Sequence, residues 1–401
     1  MRGLDSLDVQ GKRVLVRVDF NVPLQTDAEG RVTVADDTRI VAALVTIEEL
    51  RARGARLVLV SHLGRPQGER EEELSMAPVF ERLRELTGAS VELAPAVVGE
   101  QVRALTEALG DGDLLVLENV RFEAGETRND PEFAGALADL ADAYVDDAFG
   151  VAHRAHASSE GVARLLPSAA GRLLEREVLT LTKIMQAPSR PLVVIVGGSK
   201  VADKIGVIDR FLEVADTLMI GGAMCFPFLC AQGHKIGDSL CEDEDTEHAR
   251  ALLAQALKPG RASVMTPDDL VIGDRLALDA ERRVLHGVEV PKGWMGLDIG
   301  PATAERYARE IGSAQTVFWN GPMGAFELEP FAAGTRAVAE AVARTEALTV
   351  VGGGDSAAAL ARFGLEHTVD HLSTGGGATL ALVEGRTLPG VQVLEGAGVA
   401  L

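Results

Sequence analysis

Short apolar, β-branched runs recur along the chain at Val14–Phe20, Leu57–Ser61, Leu114–Leu117, Tyr144–Val145, Leu192–Val196, Thr217–Ile220, Thr316–Trp319 and Leu348–Val351. Their apolar positions are continuous rather than alternating, which marks strands buried on both faces of a parallel sheet. Between them, Thr38–Arg53, Ala77–Leu86 and Phe331–Ala343 space apolar residues three to four apart, as crossover helices do. The pattern predicts an α/β fold.

It restarts after the turn-rich Pro188-Ser-Arg-Pro191, and just before that break Leu173–Met185 reads as one long amphipathic helix. The expected architecture is two doubly wound parallel-sheet, Rossmann-like domains, residues 1–172 and 188–385. An interdomain helix over 173–187 and a hinge join them, and the apolar tail 386–401 is expected to pack back on the first domain.

The length of 401 residues agrees, since roughly 150 residues per domain gives two to three domains. A net charge of −21 disfavours nucleic acid and anionic membranes as partners, but a small anion can still be held by a few clustered cations. Cys225, Cys230 and Cys241 lack the paired spacing of a zinc site and read as small core hydrophobes. Met1–Arg13 has no secretory apolar core, and Leu218–Ala231 is too short and too rich in glycine and proline to span a bilayer. A cytoplasmic monomer is expected.

In open α/β sheets ligands bind beyond the carboxyl ends of strands, so the residues after each run carry the information. In the first half these are Arg17-Val-Asp-Phe-Asn-Val-Pro23, Ser61-His-Leu-Gly-Arg-Pro66, Glu118-Asn-Val-Arg-Phe122 and Asp146–His156, with Arg39 opening a helix. Alternation puts Arg17, Asp19 and Asn21 on one side of an extended segment. Each arginine alone reads equally well as a surface ion pair, but repetition at several strand ends predicts a pocket for a multiply charged anion. His153 and His156 lack a third ligand, so anion contact or a core hydrogen bond fits them better than metal.

In the second half, glycine-rich turns follow the runs: Val196-Gly-Gly-Ser-Lys-Val-Ala-Asp-Lys204, Trp319–Glu327, Val351-Gly-Gly-Gly-Asp-Ser356 and Ser373-Thr-Gly-Gly-Gly-Ala378. The first is not a Walker A loop, and on a helix its spacing would put Lys200 and Lys204 on one face. The last two lead into helical patterns and would aim free N–H groups at phosphate. Asp355 either caps its helix, the commoner use of aspartate there, or carries a Mg²⁺ shared with nucleotide phosphates.

These blocks, with Gly293–Pro301, resemble in order the signature segments of the phosphoglycerate kinase family across nearly the whole chain. Departures are Ser199, where alanine is usual, and Cys225-Phe-Pro-Phe, in a stretch that usually lacks proline. The resemblance implies a glycolytic two-domain kinase that moves a phosphoryl group reversibly from 1,3-bisphosphoglycerate to ADP, giving 3-phosphoglycerate and ATP, with hinge-bending closure. It implies phosphoglycerate contacts from Asp19, Phe20, Asn21, Arg39, His62, Leu63, Gly64, Arg65, Arg121, Arg154 and His156. Nucleotide contacts follow for Lys200, Lys204, Gly296, Asn320, Glu327, Gly353, Gly354, Asp355 and Ser356, with Mg²⁺ on Asp355 and Glu327 on the ribose. Arg39 and Lys200 would flank the migrating group, assisted by the helix starts at Gly354 and Gly376. The helix Leu173–Met185 and the segment near Ser373-Thr374 would act as hinges.

Two rival readings remain at this stage. A nicotinamide-dependent dehydrogenase would need a strand-coupled GxGxxG with an acid about 20 residues on, which is absent. A non-catalytic, two-lobed anion-binding protein would have no use for Lys200 and Arg39 beside the transferring group.

Overall fold

A computed structural model of the chain describes residues 1–199, 201 and 204–395. The backbone divides into two compact units, the first Met1–Thr180 rejoined by the segment that starts at Arg386, the second Leu181–Gly385.

Unit 1 contains β1 (Arg13–Arg17), the hairpin β2 (Leu24–Thr26) and β3 (Val32–Val34), β4 (Arg56–Val60), β5 (Val91–Leu93), β6 (Leu114–Val116), β7 (Ala143–Asp146) and β8 (Ser168–Ala170). The hairpin aside, they form one six-stranded sheet in the order β5-β6-β4-β1-β7-β8, parallel throughout. Val14, Leu15 and Val16 are wholly buried, as helices on both faces require. The strand stops at Arg17, earlier than the apolar run suggests, and residues 18–23 leave the sheet as a loop.

Unit 2 contains β9 (Leu192–Val196), β10 (Thr217–Ile220), β11 (Ser263–Met265), β12 (Leu270–Gly273), β13 (Arg282–Leu285), β14 (Met295–Ile299), β15 (Thr316–Asn320), β16 (Leu348–Gly352) and β17 (His371–Leu372). Its main sheet, β11-β10-β9-β15-β16-β17, is again parallel, and β13-β12-β14 form a small antiparallel sheet. In both main sheets the strand order reverses at the first strand, β1 or β9, so each has a switch point where a crevice opens beyond the carboxyl ends.

The helix Arg172–Gln186 starts in unit 1 and ends in unit 2. Its first N–H groups are held from the sheet, with Leu173 N and Leu174 N donating to Asp147 Oδ1 at 2.9 and 3.3 Å. In the C-terminal segment, Gly390 N donates to the Ala152 carbonyl and Arg2 N to that of Leu394. Residues 396–401 of the predicted tail lie outside the described residues. No helix among the described residues is long and apolar enough to cross a membrane.

One buried carboxyl fixes how the small sheet of unit 2 meets the turn after β15. Asp298, on β14, accepts from Gly334 N at 2.7 Å and from Ile299 N at 2.9 Å, and Gly324 and Gly334 approach so closely that a Cβ on either would collide with it. Burial pushes its pKa up to about 8, against the smaller opposing pull of the two backbone N–H groups and of Arg282. The folded state therefore keeps a proton that the unfolded chain releases near pH 4, and this contribution to stability is lost as pH rises from about 4 to about 8. Wild-type unfolding free energy relative to Asp298→Asn should fall by at least about 1 kcal/mol between pH 5 and pH 9, a change of roughly 2–4 °C in the Tm difference. A pH-independent difference would contradict a protonated Asp298.

Candidate active site

Beyond the carboxyl ends of β1, β4, β6 and β7, unit 1 gathers positive charge. His62, 3% exposed, sits in the field of Arg17, Arg121, Arg39 and Arg154; burial first, then these four cations, hold its pKa well below the usual histidine value. Arg121 donates to the Gly64 carbonyl at 2.6 Å, and burial together with Arg17 and Arg154 lowers its pKa to about 10. Cations that destabilise one another's charged forms would each be favoured by a nearby negative charge.

The ion pairing points the same way. Arg39 bonds Asp19 Oδ2 at 2.9 Å. Arg17, Arg65, Arg121 and Arg154 make no ion pair with a carboxylate among the described residues, although the chain carries 60 acidic residues. Arg154 donates to His153 Nε2 at 3.3 Å. Arg121 is buried, where a charge is screened least, whereas Arg65 and Arg154 are exposed at the rim.

The loops that carry these cations are tied together through backbone. Asn21 Oδ1 accepts from Gly64 N at 2.9 Å, Phe20 N donates to Ser61 Oγ, and Asn119 accepts from Leu63 N and donates to the Leu63 carbonyl. The N–H groups of Phe20, Leu63 and Gly64 are thus already in use, and these residues shape the loop instead of offering donors. Gly64 has φ +63° in this turn, and a Cβ there would press on Leu74. His156 is buried with Nδ1 3.5 Å from Glu126 Oε1, so it joins the support beneath the cations.

In unit 2 the register Val196↔Asn320↔Gly352 brings three turns to one edge of the main sheet. Lys204 Nζ donates to the carbonyls of Gly197 at 2.7 Å and Asn320 at 3.3 Å, which places its charge between the ends of β9 and β15. A Cβ on Gly197 would strike the Pro322 carbonyl, and one on Gly321, at φ +99°, the Gly197 carbonyl. Ser356 Oγ accepts from Gly321 N at 2.6 Å and fastens the next turn. Gly296 N donates to Ser239 Oγ at 2.9 Å, and Gly296 packs where a Cβ would collide with the Phe226 ring. Glu327 is exposed.

Two local expectations need correction. The helix after β16 runs Gly354–Phe363 with Gly353 as its N-cap at φ +91°, so Asp355 lies in the first turn and does not cap it. The backbone turns through a left-handed position that only glycine adopts without strain, which moves the cap two residues upstream of the aspartate. The helix after β9 begins at Ile205 with Lys204 as N-cap, so Lys204 precedes the helix whose face it was expected to share with Lys200. Lys200 itself lies outside the described residues.

The Asp355 carboxylate is exposed and has no partner among the described residues. A single exposed carboxylate beside glycine-rich turns suits Mg²⁺, which keeps several waters and takes few protein ligands. The helix Gly377–Val383 likewise starts from a positive-φ N-cap, Gly376 at +48°.

Sequence reading passed over Glu126, Ser158 and Asn119, which hold the cation cluster from below. Glu126 is wholly buried and accepts from Ser158 N at 2.9 Å and Ser158 Oγ at 2.7 Å. Asn119 and Ser158 sat within segments already singled out, Glu118–Phe122 and His153–Ser158, while Glu126 did not.

The family model described as phosphoglycerate kinase matches residues 4–386. A phosphoglycerate kinase of Moorella thermoacetica is 52% identical over 391 residues, 98% of each chain, and one of Rubrobacter xylanophilus is 52% identical over 393 residues, again 98% of each. The solved structure of phosphoglycerate kinase from Coxiella burnetii superposes with a TM-score of 0.87 at 40% identity, covering 98% of both chains. That from Pyrococcus horikoshii does so with a TM-score of 0.82 at 31% identity, over the same shares. With matches spanning both sheets and every turn described above, the chain belongs to the phosphoglycerate kinase family.

Proposed function

We propose that the cation cluster of unit 1 holds the phosphoglycerate and the glycine turns of unit 2 hold the nucleotide. As a family member the protein is a glycolytic kinase that transfers a phosphoryl group reversibly from 1,3-bisphosphoglycerate to ADP, giving 3-phosphoglycerate and ATP. The observation that carries the assignment is that Arg121 and Arg154, in whose field the buried His62 sits, lack carboxylate partners among the described residues of a chain of net charge −21. A substrate with carboxylate and phosphate groups completes that charge.

A migrating phosphoryl group spreads negative charge over its equatorial oxygens, so the protein must supply cations, N–H dipoles and in-line positioning. Arg39, braced by Asp19, and Lys200 are assigned to flank that group, and the first-turn N–H groups at Gly354 and Gly376 lend their dipoles. The acyl-phosphate oxygen of one substrate and the terminal phosphate oxygen of ADP are leaving group and nucleophile, so no side chain has to act as general base. Lys204, Gly296, Asn320, Glu327 and the Gly353–Ser356 turn are assigned to the nucleotide, with Ser356 and Asn320 acting through the turns they hold. Mg²⁺ bound with ADP or ATP would be held by Asp355 and would supply positive charge to the phosphates.

Because the two substrates are assigned to different units, transfer requires the units to close and exclude water, which would otherwise compete as phosphoryl acceptor. A monomeric, cytoplasmic enzyme with small-molecule partners and neither nucleic acid nor membrane fits the net charge and the absence of a spanning helix among the described residues.

ATP-dependent phosphorylation of 3-phosphoglycerate in a coupled assay tests the activity, and its absence would overturn the reading. Arg39→Ala and Lys200→Ala should each lower kcat by at least about 10²-fold, as expected for loss of a transition-state contact; near-normal turnover in both would remove their assigned roles. Arg65→Ala and Arg121→Ala should instead raise KM for 3-phosphoglycerate about tenfold or more with a smaller change in kcat. Small-angle scattering should show compaction only with both substrates present, and no compaction would argue against closure.

A further inference from the structure

Arg17 is the one member of the cation cluster that the mechanism above leaves unused, and it is 1% exposed. Its Nε donates to Ser158 Oγ at 2.9 Å, one terminal nitrogen donates to the Val18 carbonyl, and the other lies 3.2 Å from His62 Nδ1. A guanidinium can only donate, so that last contact requires a lone pair on Nδ1. The ring's proton then belongs on Nε2. The competing partner, Asp19 Oδ1, would need Nδ1–H, and at 3.9 Å from the same nitrogen it is beyond hydrogen-bond length. Nε2 has no hydrogen-bond partner among the described residues.

Arg17 also has its own counter-charge. Ser158 Oγ accepts from Arg17 and donates to the buried carboxylate of Glu126, so Glu126 balances Arg17 through one hydroxyl. The Arg17 charge is thereby committed to the protein, unlike those of Arg65, Arg121 and Arg154.

We propose that Arg17 is a positioning residue that fixes His62 as a neutral imidazole protonated on Nε2, so that the ring offers a hydrogen-bond donor to the anion held in unit 1. The opposite tautomer would leave only a lone pair at Nε2, which repels a carboxylate or phosphate oxygen. An ordinary solvated histidine interconverts between the two, and the clamp from Arg17 removes that freedom. The inference rests on the placement of phosphoglycerate in unit 1.

NMR of ¹⁵N-histidine-labelled protein tests the tautomer in the wild type without any variant. The expected His62 signals are those of an Nε2-protonated neutral ring that stays neutral as pH falls from 7.5 through the ordinary histidine value near 6.5. A ring protonated on Nδ1, or one that titrates near 6.5, would overturn the proposal. The second arm removes the clamp. Because breaking a buried charge pair by removing one partner is strongly destabilising, Arg17→Met is combined with Glu126→Gln. In this double variant His62 should populate both tautomers, and KM for 3-phosphoglycerate should rise at least fivefold with a smaller fall in kcat, whereas Arg17→Lys, which keeps a donor, should retain most of the Nε2–H form. An unchanged tautomer and KM in the double variant would also overturn it. His62→Ala separates the two levels of the argument. If it leaves KM unchanged while the wild-type ring shows the expected tautomer, the placement of the substrate fails and the Arg17 clamp stands; if it raises KM while the tautomer is wrong, the clamp fails and the placement stands.

Discussion

The structure turns on positive charge that is left without a carboxylate in an acidic chain. Sixty acidic residues against 39 basic ones would satisfy every arginine if pairing were left to proximity on a surface. Around His62 they do not. Burial and mutual repulsion depress the pKa of both His62 and Arg121, a cost to the fold. Such a cost is useful only if a ligand relieves it, and a small substrate with two acidic groups relieves it more fully than a single charge.

What makes the arrangement possible is the parallel sheet. Strands that all run one way deliver their carboxyl ends to one edge, and the reversal of strand order at β1 and at β9 opens a crevice there in each unit. The two units use that edge differently. Unit 1 lines it with arginines braced from beneath by Glu126, Ser158 and Asn119; unit 2 lines it with turns in which glycine lets backbone meet backbone, as at Gly197 and Gly321. The first suits a compact anion held by side chains, and the second a polyphosphate held close to the main chain.

Much of this was legible in the sequence, for physical reasons that also explain what was not. The long strands declared themselves because residues such as Val193–Val196 are buried on both faces. The edge strands β5, β8, β11 and β17 have two or three residues each, too few for a periodic signal, and β13 is mostly exposed. The cations were readable because they follow strand ends. Glu126 was not, since its buried role arises only when Ser158 and His156 are brought to it by the fold. Of the two uses open to Asp355, the cap is excluded only by the fold, because the positive φ of Gly353 starts the helix upstream of it. Arg17 was visible in its motif, but its attachment to His62 and Ser158 depends on the pairing of β1 with β4 and β7.

The measurement that bears most directly on the account is a crystal structure of the protein with 3-phosphoglycerate. The account predicts the ligand's acidic groups within hydrogen-bond distance of Arg65, Arg121 and Arg154, with His62 donating through Nε2. A ligand bound instead at the glycine turns of unit 2, leaving those arginines without an anion, would contradict it.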